Sequence, residues 1–261
     1  MGASEIIHAL DITLIAGSVA FIVVLAFVAG LPIESASPRP QKKPTGLNRW
    51  AKSLEATREI FVMITIDDIL DKYRGFTGAT PEQVEGVHKD LSKQPRAEQI
   101  GYYLGLFGSY ERSIPLYEAT IDESPEVFWS VVLENWCDCD GLWPLRRILL
   151  DTLRRRRAQR SPIEFQNTSD RRFYDELPDV VTVYRGCGRR RIRGLPWTTN
   201  RAVANYFAGG GRFTAPPDPV IASAVIAKAD IFFVSAERAE SEVILDPYSI
   251  KRLRLESASD A

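Results

Sequence analysis

Apolar and polar positions divide the chain into stretches of different texture. From Ile12 to Leu31 the residues are mainly Ile, Leu, Val, Ala and Phe, and no charge appears before Ile33 is passed. Twenty such residues in a helix extend about 30 Å, the thickness of a bilayer's hydrocarbon core. This predicts a transmembrane helix over 12–31 behind a short tail, 1–11. No Lys or Arg precedes the stretch, whereas Arg39, Lys42, Lys43, Arg49 and Lys52 follow it. The bias places the N-terminus outside and the C-terminal domain in the cytoplasm, a single-pass membrane protein anchored through 12–31. Residues 32–46 hold four prolines and read as a solvated linker.

Helical spacing begins next and defines a helical region over 47–160. Trp50, Leu54, Phe61, Ile64, Ile69 and Leu70 recur at intervals suited to one helix face between Leu47 and Tyr73. Thr80-Pro81 and Ser124-Pro125 are helix starts, with a hydroxyl cap and proline at the first helical position. Further helices are expected over 96–107, 124–136 and 143–157. From Asp179 the texture changes to short β-branched runs broken by Gly, Pro and Asp. Strands are predicted at 180–184, 220–227, 231–235 and 242–245, a short helix at 201–207, and an edge strand at 250–255. The fold class is α+β, with the last domain over 161–261.

Composition narrows the function. A net charge of -1 argues against binding nucleic acid through overall charge. The three cysteines, Cys137, Cys139 and Cys187, are too few and too oddly placed for a disulfide framework, which suggests a reducing compartment. His8 and His88 are both far from them, so no metal site is expected, and Cys137-Asp138-Cys139-Asp140 lacks nearby partners for one. Arg146, Arg147, Arg154–Arg157 and Arg160 read as a solvated helix end, or as a basic patch for nucleic acid or anionic lipid. Arg189–Arg191 and Arg193 follow Arg185 closely, where they could meet phosphates or an acidic target.

Three segments in the last eighty residues could carry chemistry. Arg185 ends a predicted strand and precedes Gly186; its forked guanidinium suits phosphate or ribose oxygens, or it is a surface arginine at a strand end. Glycine there lets the backbone approach a ligand closely. Thr198 and Thr199 precede the short helix bearing Tyr206 and Phe207, and either could bind a ligand or cap that helix. Glu240 and Glu242, two apart, would share one face of a strand, or form a solvated acidic turn.

In this order the segments resemble the Arg–Ser–Glu signature of ADP-ribosyltransferases of the cholera-toxin-like class, over roughly residues 180–250. Pro196 and Trp197 depart from it, standing where the first two hydroxyl residues usually fall. The resemblance implies a pair of β-sheets with flanking helices and NAD⁺ bound between them as substrate, with no metal. It implies that Arg185 and Gly186 hold the dinucleotide, Thr198 or Thr199 bonds the ribose, and Tyr206 and Phe207 supply a stacking surface. Glu242 would be the catalytic carboxylate, and Glu240 would activate an acceptor. The implied activity is mono-ADP-ribosyl transfer to a protein side chain, commonly an arginine in that family. NAD⁺ hydrolysis and a non-catalytic binding module with the same fold are the alternatives.

Overall fold

A computed structural model describes residues 63–211 and 214–258. The tail 1–11, the membrane span 12–31, the linker 32–46 and the start of the helical region lie outside these residues. Among the described residues, no helix is long and apolar enough to cross a membrane. The described residues all belong to one compact unit.

Among the described residues, seven α-helices precede the first strand: α1 (Ile66–Thr77), α2 (Pro81–Leu91), α3 (Arg96–Gly105), α4 (Ser113–Thr120), α5 (Pro125–Asn135), α6 (Arg146–Gln159) and α7 (Thr168–Glu176). Their starts follow local chemistry. Thr65 and Asp68 form a reciprocal capping box at α1, as do Thr80 and Gln83 at α2, and Ser124 accepts from the Val127 amide at α5. Each cap satisfies a backbone donor that the helix itself cannot.

The strands are β1 (Val180–Gly188), β2 (Pro196–Thr198), β3 (Pro219–Ala227), β4 (Ile231–Ser235), β5 (Glu242–Leu245) and β6 (Leu253–Ser257). A last helix, α8 (Arg201–Ala208), follows β2. The expected pair of sheets is replaced by one six-stranded antiparallel sheet, in the order β4-β5-β2-β1-β3-β6. Continuity comes from a narrow seam. β1 and β2 share a single registered pair, Tyr184 opposite Thr198, whereas β1 and β3 register from Val180–Ala227 to Gly188–Pro219. The three-residue β2, hidden in the sequence by Pro196, bridges what the strand pattern alone divides.

Alternation gives the sheet two different faces. Val181, Val183, Trp197, Val234, Val243 and Leu245 form one buried cluster, against which Phe173, Tyr174 and Leu177 pack. Phe233, Ile244 and Leu195 join Trp129, Trp136 and Leu153 in another, so the helical region is seated on the opposite face. Trp129 and Trp136 both meet the Phe233 ring edge-on, at 6.2 and 5.1 Å between centroids. Truncating a side chain this well packed costs about 3–5 kcal/mol.

The arginines of α6 strengthen that seat. Arg154 Nε donates to Asp246 at 2.8 Å, Arg156 to the Ile121 carbonyl at 2.6 Å, and Arg157 to the Ala229 carbonyl. The basic run is therefore more than a solvated helix end: it ties α6 to β5 and to the turn between β3 and β4.

Candidate functional site

A cleft of about 220 Å³ opens where the seam meets the helical region. Arg185, Gly186, Thr198, Phe207, Glu240 and Glu242 line its sheet side, although as many as 57 residues separate them in sequence. Thr199 and Tyr206 do not line it. The Thr199 amide donates to the Ser241 carbonyl at 3.1 Å, and Asn200, not Thr199, caps α8 by accepting from the Ala202 amide. Tyr206 is 56% exposed and leans edge-on against Phe207.

Glu242 begins β5, opposite Thr198 on one side and Ser235 on the other. Glu240 is not on that strand. It lies in a turn whose residues Arg238, Ala239 and Ser241 have φ of 56°, 53° and 47°. Left-handed backbone at non-glycine residues costs roughly 1–2 kcal/mol each and persists only where surroundings enforce it. Here several bonds do so. The Thr198 hydroxyl donates to the Glu240 carbonyl at 2.6 Å while accepting from the Asn200 amide at 3.0 Å. Ser235 Oγ accepts from the Glu237 amide, and the buried Asp170 accepts from the Ala236 amide at 2.7 Å. Glu240 and Glu242 thus reach the cleft through a constrained turn, not through strand alternation.

Thr198 itself is only 5% exposed, with its hydroxyl engaged on both sides. It fixes the acidic turn against β2. Trp197 belongs to a buried core cluster, where its indole donates to the Gly194 carbonyl at 3.1 Å, and with Pro196 it also borders the cleft. The Pro196-Trp197 departure therefore supplies packing, and leaves Thr198 facing the acidic turn.

Arg185 is half-buried and spans the gap beyond the Tyr184–Thr198 pair. Its Nε donates to the Arg191 carbonyl at 3.2 Å and its Nη1 to the Pro196 carbonyl. Burial lowers its pKa below the usual arginine range, and Cys187 and Glu242 oppose that shift. It remains a cation at neutral pH. Gly194 allows this packing, because a Cβ there would overlap the guanidinium. Gly186 is explained by a different close approach. A Cβ at Gly186 would overlap the Ala204 carbonyl and stand 2.6 Å from the Ala208 amide, so glycine admits the α8 backbone.

The facing wall comes from the helical region, which the sequence did not connect with this site. Trp136, Cys137, Leu142, Trp143 and Arg146 line it. Cys137 Sγ lies 3.1 Å from Ser235 Oγ and 3.9 Å from Glu242 Oε2. Burial, with the Glu242 charge adding to it, pushes this thiol up to about 12, so it stays protonated beside the carboxylate. Cys139 is likewise raised by burial to about 12. Among the described residues no group of three or more His, Cys, Asp or Glu could hold a metal ion. Asp138 instead pairs with Arg238 at 2.7 Å and Arg112 at 3.3 Å, joining the acidic turn to the helices.

Comparison with protein-family models, with curated proteins and with solved structures finds no match to this chain. The cleft must be read on its own chemistry: two half-buried carboxylates, aromatic walls and arginines within one small cavity.

Proposed function

We propose that this cleft cleaves the nicotinamide–ribose bond of NAD⁺ and transfers ADP-ribose to a protein side chain. The observation carrying this reading is convergence: Arg185, Thr198, Phe207, Glu240 and Glu242 border one cavity. The cavity is smaller than the 300–1,000 Å³ typical of sites for drug-sized ligands. It suits the nicotinamide and its ribose, with the remainder of the dinucleotide extending along the mouth.

The required chemistry matches the residues available. As the glycosidic bond breaks, nicotinamide leaves with the bonding electrons and positive charge grows on the ribose. A carboxylate held beside that ribose stabilises the charge, as in glycoside hydrolysis. Glu242 has that role, and its anchorage at the start of β5 reduces reorganisation. Phe207 and Trp136 offer apolar walls for a departing ring. The acceptor side chain forms the new bond to the ribose carbon and loses its proton to Glu240. Arg185 acts through the loop it holds.

The test is incubation of the full chain with NAD⁺ labelled in its adenosine half, together with arginine-rich protein acceptors. Covalent label on the acceptor supports transfer, and free labelled ADP-ribose indicates hydrolysis at the same site. Intact NAD⁺ after prolonged incubation with folded protein contradicts both.

A further inference from the structure

We infer that Arg146 and Arg191, set around the indole of Trp143 at the cleft, form the subsite for the substrate's diphosphate. The inference rests on the NAD⁺ reading and makes the helical region a direct contributor to substrate binding. A diphosphate brings two negative charges into a cleft that already holds Glu240 and Glu242, so it requires cations away from that turn. Of the arginines lining the cleft, Arg185 already commits two of its nitrogens to the carbonyls of Arg191 and Pro196.

Arg146 and Arg191 are differently engaged. The guanidinium carbon of Arg146 lies 3.9 Å from the Trp143 ring centroid, and that of Arg191 lies 6.0 Å from the same centroid. Neither forms an ion pair with a carboxylate among the described residues, whereas Arg154, Arg160, Arg189, Arg201 and Arg238 each do. Arg146 Nη1 donates to the Trp143 carbonyl at 2.9 Å, while its buried Nε has no hydrogen-bond partner among the described residues. An indole face steadies a guanidinium without neutralising it, so both groups retain their charge for an anion. The two charges come from separate elements, Arg146 from the start of α6 and Arg191 from the turn after β1. The Arg185 bond to the Arg191 carbonyl fixes that turn, which makes Arg185 a positioning residue for the subsite.

The test is calorimetric titration of the full chain with ADP, which carries the diphosphate without nicotinamide or its ribose. The expected result is ADP binding that weakens about tenfold in Arg146→Gln or Arg191→Gln and about a hundredfold in the double variant. Glu242→Gln, which removes one opposing charge, should not weaken ADP binding. Arg191→Gln keeps the test decisive should Arg146→Gln fail to fold, since the Arg191 side chain makes no hydrogen bond among the described residues. No ADP binding by the wild type, or an Arg191→Gln affinity within twofold of wild type, overturns the subsite. ADP binding that needs both arginines, without NAD⁺ consumption, removes the proposed reaction and keeps the subsite. NAD⁺ consumption with an unchanged KM in the double variant does the reverse.

Discussion

The two walls of the cleft hold their polar groups in contrasting ways. On the sheet wall, Arg185 and Thr198 bond to backbone carbonyls, and Gly186 lets a helix backbone press directly on β1. On the helical wall, Arg146 packs on the Trp143 indole, which Arg191 approaches from the turn after β1, and neither arginine has a carboxylate partner among the described residues. The first wall spends its polar groups on shape; the second keeps charge in reserve. Precise placement of a carboxylate needs the former, whereas recruitment of an anion needs the latter.

The contrast can be broken most forcefully at Gly186. Gly186→Val should destabilise the protein by about 3 kcal/mol or more, because the added atoms meet the backbone of α8. Thermal unfolding of the full chain would register this, and a wild-type melting temperature would remove backbone contact as the basis of the sheet wall. Arg185→Met comes next, at about 2–3 kcal/mol, since the Arg191 and Pro196 carbonyls lose a charged donor. Its stability loss should accompany a rise in KM; a rise in KM alone would make Arg185 a direct ligand.

Thr198 sharpens the contrast at a smaller scale. Thr198→Val should cost about 1–2 kcal/mol and lower turnover by loosening the acidic turn, whereas Thr198→Ser should recover both. Failure of serine to rescue would mean that the methyl group matters more than the hydroxyl bond. The smallest effect is expected from Cys137→Ser. The thiol is raised from 9.0 to about 12, so its folded-state preference for the proton is fully present below about pH 9 and is lost as pH rises toward 12. Between pH 6 and 8 it does not titrate, and the variant's pH–rate profile should overlay that of the wild type. A shifted profile would make the thiol a participant in the chemistry.

Much of the sheet wall was legible because local chemistry and function coincide there. The strand from Val180, the helix at 201–208, β4 and β5 all follow from β-branched runs and glycine breaks. The capping residues Thr80 and Ser124 are equally local signals. Other elements depend on distant partners. β2 has only three residues, one of them proline, and exists because Thr198 and Trp197 register against Glu242 and Val243. α4 and α7 are short helices whose positions rest on packing and on the Asn167 cap, and both escaped the periodicity. Spacing also misjudged the acidic pair, which shares the cleft through left-handed turn residues and not through a shared strand face. Trp143 carried no motif, and Cys137 and Arg146 stood out only as a metal-like cysteine pair and as part of a basic run. Their relevance arises only when the helical region seats on the sheet and brings Cys137 to Ser235, 98 residues away.

The central claim is that Glu242 stabilises charge on a ribose in this cleft. Its most direct test is nicotinamide release from NAD⁺ by the full chain, compared with Glu242→Gln, with both proteins shown to be folded and to bind ADP. Turnover by the wild type and a loss of about 10²–10³-fold in the variant is the predicted result. Equal release by both proteins, or none by either, would contradict it.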